Sequence, residues 1–190
     1  MIAKIVITGA PGSGKTKVLD RLKVDSGFSH FVFFDELARQ LLSQNPELRM
    51  NRHELHQRIY TMQVNREDAL RGQSFITDRG TVDAFAFHPG SLRFVGTTVE
   101  REYLRYTAVV QLGSSARLGA EYYKTDEVRT ESASDALLIE GALRIMWKDH
   151  PQYHFVEPAP DWDEKFRVCC DLLLRLSDES IVSYARKSDD

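Results

Sequence analysis

Several protein classes are excluded by what this chain has little of. Its 190 residues include two cysteines, Cys169 and Cys170. Adjacent to each other within an apolar run of helical period, they cannot build a disulfide framework, and with no other ligands beside them they do not make a zinc site. They are expected to fill core. No apolar stretch approaches the ~20 residues that a membrane-spanning helix needs, so a membrane-embedded protein is not expected. The first residues, MIAKIVI, lack the basic segment and long apolar region of a secretory signal, and the expected location is cytoplasmic. Basic charge is not in excess either: 25 Lys and Arg stand against 28 Asp and Glu, for a formal net charge of −3. A nucleic acid polymer is therefore not an expected partner, since nothing in the overall charge draws one in. There is no internal repeat and no low-complexity run. One domain is expected over residues 1–185, with 186–190 a solvated tail.

What the chain does have is a regular alternation. Short apolar runs at 2–8, 30–34, 74–77, 107–112 and 153–156 alternate with longer stretches of helical period, the pattern of a mostly parallel five-stranded sheet covered by helices on both faces. Val18, Leu19 and Leu22 mark one helix, and Leu37, Ala38, Leu41 and Leu42 another before Pro46. Leu55, Ile59, Met62, Ala69 and Leu70 mark a long one. Leu138, Ala142, Ile145 and Met146 repeat at helical spacing, as do Phe166, Cys169, Cys170, Leu173 and Leu174. The polar stretch 114–135 is poor in periodic apolar residues and is expected to be a mobile, lid-like loop.

Directly after the first run stands Gly9-Ala10-Pro11-Gly12-Ser13-Gly14-Lys15-Thr16, a full match to G-x-x-x-x-G-K-[ST] between an expected strand and an expected helix. The chemistry explains the residue types. Glycines let successive backbone N–H groups turn inward around phosphate oxygens, and the helix N-terminus adds a favourable dipole. Lys15 is expected to reach the β and γ phosphates and the Thr16 hydroxyl to ligate Mg2+. The loop predicts a bound nucleoside triphosphate; it does not say what becomes of the phosphate.

A second magnesium-linked acid is expected at the end of another strand, and there are two candidates. One is Asp35-Glu36 after PheValPhePhe. It looks like the acidic box of motor ATPases, but it comes one helix after the phosphate loop, too early for that box, and the chain lacks the length for a motor's added helical domain. The other is Asp78, continuing as Asp78-Arg79-Gly80. This segment resembles the Asp-Arg element at the end of the third strand in P-loop nucleoside and nucleotide kinases, including the thymidylate and deoxynucleoside kinases. Asp35-Glu36-Leu37-Ala38-Arg39 resembles the Glu-x-x-Arg of a family that groups nicotinamide riboside kinase domains with related proteins under the name AAA domain. Gln63-Val64-Asn65-Arg66 is similar to the Gln-x-x-Arg that deoxynucleoside kinases use at the acceptor base, and 128–132, around Arg129, looks like an arginine-bearing lid.

The resemblance implies a three-layer α/β/α nucleoside-kinase-like P-loop fold and ATP- and Mg2+-dependent transfer of a phosphoryl group to a small-molecule acceptor. It assigns Arg39, Gln63 and Arg66 to the acceptor. Phosphoryl transfer itself requires charge neutralisation and exclusion of water. In that scheme Asp78 organises the metal with Thr16, and Glu36 orients an acceptor hydroxyl. Arg79 and Arg129 stabilise the transferred group, with Arg117 and Lys124 as weaker candidates. The competing reading is a nucleotide-dependent regulatory NTPase acting through a protein partner. No Asn-Lys-x-Asp tetrapeptide is present, which disfavours a dedicated guanine switch. Three further expectations concern neighbouring residues: Asp35 as the cap of the helix that follows it, His53-Glu54-Leu55-His56 as a solvated helix start, and residues 85–88 as aromatics near Asp78.

Overall fold

A computed structural model describes residues 2–124 and 131–185. Strand β1 (Lys4–Gly9) runs through the centre and is followed by helix α1 (Lys15–Val24). Then come β2 (Val32–Phe34), α2 (Leu37–Gln44), α3 (Arg52–Ala69), β3 (Phe75–Asp78) and the three short helices α4 (Thr81–Phe87), α5 (Ser91–Val95) and α6 (Val99–Tyr103). The chain continues through β4 (Ala108–Leu112), α7 (Ala133–Trp147), β5 (Tyr153–Val156) and α8 (Trp162–Ala185). All strand pairings are parallel, in the order β2-β3-β1-β4-β5. Each apolar run of the sequence thus became a strand, although the edge strand β2 shortened to three residues.

The central strand shows why the sheet is buried on both sides. Ile5 and Ile7 point to one face, where Val18, Leu22, Phe28, Cys169 and Leu173 close a core under α1 and α8. Val6 points to the other face, against Val82 and Phe85 of α4, Val109 of β4, Trp147 of α7 and Tyr106, which precedes β4. Alternate side chains of a strand leave opposite faces, so a continuous apolar run is what a sheet covered on both faces requires. Cys169 is fully buried in this core, in the filling role its apolar neighbours imply. A third, smaller cluster joins Leu41, Leu48 and Leu55 with Ile59 and Met62 between α2 and α3. That satellite matters because it forms one wall of a cavity.

Local signals account for the helix starts. Asn51 caps α3 by accepting from the Glu54 N–H at 3.2 Å, and Ser132 with Asp135 forms a reciprocal capping box at α7. Asp35 does not cap α2. Glu36 occupies the cap position without a side-chain bond to it, while the Asp35 carboxylate meets Lys23 at 2.5 Å. The correction has a simple cause: Lys23, at the end of α1, offers a full charge where the helix N-terminus offers a partial one. Among the described residues no helix is long and apolar enough to cross a membrane.

Candidate active site

In the register of the sheet, Asp78 at the end of β3 lies beside Ile7 of β1, and Gly9 lies beside Leu112 of β4. The carboxyl ends of the three central strands therefore converge where the phosphate loop begins, the position at which open parallel sheets bind ligands. The loop is held by three donors. Ser115 N donates to the Gly12 carbonyl at 3.1 Å, and the Ser114 hydroxyl donates to the Pro11 carbonyl at 2.6 Å. From α8, Lys165 Nζ reaches both the Ser13 carbonyl at 2.8 Å and the Gly113 carbonyl at 2.6 Å. These bonds tie up loop carbonyls and turn them away from the side where N–H groups must face an anion. Gly12 sits at φ +77, and a Cβ there would come within 2.7 Å of the Tyr123 ring. The glycine is thus required twice, by its left-handed backbone and by the ring packed on it.

Lys15 and Asp78 are both buried and form an ion pair through Nζ and Oδ1. Burial pushes the Asp78 carboxyl up, against the pull of Lys15. Glu36 reaches the same place from the edge strand. Its Oε1 accepts from Arg79 Nε at 2.9 Å. Burial alone would raise the Glu36 carboxyl; the charges of Arg79, Lys15 and Arg39 outweigh it and bring the pKa down to about 2. Arg79 is held on its other side by Asp83 at 3.3 Å and lies over the Phe87 ring at 4.8 Å. Burial acts to lower its pKa, but the surrounding carboxylates of Glu36, Asp83 and Asp78 raise it, so Arg79 is a permanent cation.

Arg79 has φ +69, a left-handed conformation that a non-glycine residue adopts at a cost of about 1–2 kcal/mol. The turn puts its carbonyl where Thr77 Oγ1 donates at 2.9 Å and aims its side chain back at Glu36. Gly80 follows because a Cβ there would meet Val6, Trp147 and Tyr106 at 2.9–3.1 Å. Asp83, which sequence reasoning passed over, ties this turn together. Its carboxylate accepts from the Thr8 hydroxyl, from Gly80 N at 2.9 Å and from Trp147 Nε1 at 3.2 Å. An Asp five residues after Asp78 inside an apolar helix was the available signal, since a buried carboxylate needs partners.

Two cavities open from this cluster. The first, about 430 Å³, follows the loop from Gly9 to Lys17 and also touches Glu36, Arg39, Arg79 and Trp162. The second, about 320 Å³, is more enclosed and lies between α2, α3 and α4. Its walls are largely Leu42, Leu55, Ile59, Ala84, Phe87 and Ile139, and Asp78 stands at its floor. Pro11, Glu36, Arg79 and Glu131 line both. Burial of 70–90 % of a small ligand in a mostly apolar cleft with a few fixed polar groups is the usual form of a binding site.

The sequence-derived residues are distributed unevenly over this geometry. Gly9, Ala10, Pro11, Gly12, Ser13, Gly14, Lys15 and Thr16 line the first cavity with Glu36, Arg39 and Arg79. Gln63 borders the second, but its amide is engaged internally: Nε2 donates to Glu67 at 2.5 Å and to Thr77 at 2.9 Å, and Oε1 accepts from Arg66. Arg66 donates to the Asp35 carbonyl at 2.7 Å and lines a separate depression with Phe34 and Met62. Arg117 pairs with Glu140 at 3.3 Å. Arg129 lies outside the described residues. His56 corrects the expectation of a solvated helix start, because it is buried against Phe87 and His88. The loop after α4 folds back over α3, a tertiary contact that local sequence pattern does not carry.

The donor set fits a hard cation. Thr16 offers a hydroxyl and Asp78 a carboxylate oxygen beside the phosphate loop, the ligand type that Mg2+ takes together with phosphate and water oxygens.

No curated protein matches the sequence. Among solved structures, deoxyadenosine kinase from M. mycoides with products dCMP and a flexible dCDP bound superposes with a TM-score of 0.63 at 14% identity, covering 90% of this chain and 98% of that one. The same enzyme with bound dATP gives 0.60 at 13% identity, with the same coverage. At such identities the likeness establishes a shared fold, a P-loop α/β/α architecture with an all-parallel five-stranded sheet. Residues 4–165 match a family described as an AAA domain, and the chain belongs to that family.

Proposed function

We propose that this protein transfers the γ-phosphoryl group of ATP to a hydroxyl of a nucleoside-like small molecule. The observation that carries the proposal is the meeting of the two cavities across the Glu36–Arg79 pair. A phosphate-binding trough and an enclosed, largely apolar chamber share the Glu36 and Glu131 carboxylates and the Arg79 guanidinium. Hydrolysis of ATP alone does not require a second chamber.

In this reading loop 9–16 cradles the triphosphate and Lys15 moves from Asp78 to the β and γ oxygens. Mg2+, held by Thr16 and Asp78, would neutralise charge on the phosphates. Glu36 accepts a hydrogen bond from the acceptor hydroxyl and aims its oxygen at phosphorus. A new bond forms between that oxygen and the γ phosphorus as the bond to the β–γ bridging oxygen breaks, and ADP leaves with the bridging oxygen. With a pKa of about 2, Glu36 is ionised at all working pH values and holds a proton weakly. It therefore orients the hydroxyl, and the proton passes on to solvent or product phosphate. Such a role suits a loose transfer, in which the nucleophile keeps its proton until late. Arg79 supplies positive charge beside the transferred group, and Arg129 is assigned the same role on sequence grounds.

The test is direct. The purified chain is incubated with ATP, Mg2+ and, in turn, nucleosides, nicotinamide riboside and nucleotides, and products are separated by chromatography. A phosphorylated acceptor should appear, and Lys15→Ala should reduce its rate at least ~100-fold by removing a positioned cation from the transferred phosphates. ADP release with no phosphorylated product anywhere in the panel would overturn the reading in favour of a regulatory NTPase.

A further inference from the structure

His56 borders the enclosed chamber, is 8 % exposed, and its Nδ1 is fully buried with no hydrogen-bond partner among the described residues. A buried polar atom left unpaired costs about 1–3 kcal/mol, and native structures rarely retain one without a reason. The neighbouring polar side chain on α3, Gln63, has both ends of its amide occupied by Glu67, Thr77 and Arg66. The Gln-x-x-Arg pattern at 63–66 is thus spent on holding β3 to α3. That leaves His56, seven residues and two helical turns earlier, as the unpaired side chain on the α3 wall of the chamber.

We infer that His56 is the residue that recognises the acceptor, its ring turning about Cβ–Cγ to bring an imidazole nitrogen to the edge of an uncharged, planar nitrogen heterocycle such as a nucleobase. The inference rests on the phosphoryl-transfer reading of the same site. Three features support the chemical class. The walls around His56 are apolar, through Leu42, Leu55, Ile59 and Phe87, which suits a flat ring and not a sugar phosphate. Burial first, and then the nearby charges of His88 and Arg52, lowers the His56 pKa to about 4, so at neutral pH its ring carries no charge and has one donor and one acceptor nitrogen. Arg52 stands at i−4 on the same helix face, and its charge disfavours a cationic ring at this end of the chamber. At the His56 end a neutral base therefore fits better than a pyridinium such as that of nicotinamide riboside, whose charge would be drawn instead toward the Glu36, Asp78 and Glu131 carboxylates that also line the chamber.

The experiment uses the full chain with adenosine, cytidine and thymidine as uncharged probes and nicotinamide riboside as the cationic one. His56→Phe keeps an aromatic ring against Phe87 and His88; His56→Asn keeps a donor and an acceptor; thermal melting verifies that each is folded. For the best nucleoside, His56→Phe should raise KM about 10- to 100-fold while kcat and the KM for ATP stay within about threefold. His56→Asn should recover part of that loss. Unchanged nucleoside KM in folded His56→Phe overturns the inference while leaving phosphoryl transfer intact, as does a preference for nicotinamide riboside. If no product forms, nucleoside-induced thermal stabilisation in the presence of a non-hydrolysable ATP analogue separates the two claims. Stabilisation that His56→Phe removes supports His56 and refutes the kinase reading; stabilisation by none of the probes overturns the inference about His56.

Discussion

The two halves of the site are built by different means. Around the phosphate loop the proposed function assigns recognition to backbone N–H groups, and side chains such as Ser114 and Lys165 hold loop carbonyls. Around the enclosed chamber the proposed function leaves recognition to side chains, with the Leu42, Leu55 and Ile59 wall giving shape and His56, Glu36 and Arg79 giving polarity. Backbone groups can present one kind of ligand surface, which suits a phosphate whose chemistry never varies. Side chains can be exchanged without altering the fold, which suits an acceptor whose identity must be selected.

Three substitutions or conditions probe that contrast, and the largest effect is expected where the halves meet. Glu36→Gln retains the shape of the pair with Arg79 but removes the charge to which the proposed function assigns orientation of the hydroxyl. kcat for acceptor phosphorylation should fall by about 10²- to 10⁴-fold with ATP affinity nearly unchanged, measured by steady-state kinetics and nucleotide titration. A loss of ATP affinity as large as the loss of kcat would place Glu36 in the donor half alone. Next comes Gly12→Ala, which adds left-handed strain and a Cβ 2.7 Å from the Tyr123 ring. Nucleotide affinity should drop by about 100-fold, while a nucleoside alone should still raise the melting temperature by its wild-type amount. Equal loss of both responses would show that the two chambers are not separable.

The smallest effect concerns pH. Glu36 has its carboxyl pKa lowered from 4.5 to about 2 in the folded chain. Because the folded value is the lower one, the unfolded chain takes up the proton first as the solution is acidified. The contribution of Glu36 is fully present above pH 4.5 and is lost as pH falls toward 2. The stability difference between wild type and Glu36→Gln should shrink through that window by about 1–2 kcal/mol after allowance for solvent screening. A difference that stays level in denaturant titrations from pH 5 to 2.5 would mean that the pair with Arg79 is not what depresses the carboxyl.

The same contrast explains how much of the molecule is legible in its sequence. The phosphate loop was legible because backbone recognition demands glycine, lysine and threonine at fixed spacing between a strand and a helix. The parallel sheet was legible because burial on two faces demands continuous apolar runs such as those around Ile5 and Val109. Asp78-Arg79-Gly80 stood out as an acid at a strand end, but the left-handed turn that points Arg79 at Glu36 has no local signature. His56 could not be found this way. Its partners Phe87 and His88 are more than thirty residues away, and the contact depends on how the loop after α4 returns across α3. Asp35 misled because its short side chain favours helix caps, whereas the lysine that claims it belongs to the preceding helix.

Lys165 adds a consequence for how the phosphate loop keeps its shape. The ammonium that secures the Ser13 carbonyl comes from a helix 152 positions further along the chain. A chain cut before α8 would carry the nucleotide motif without the clamp on the Ser13 and Gly113 carbonyls.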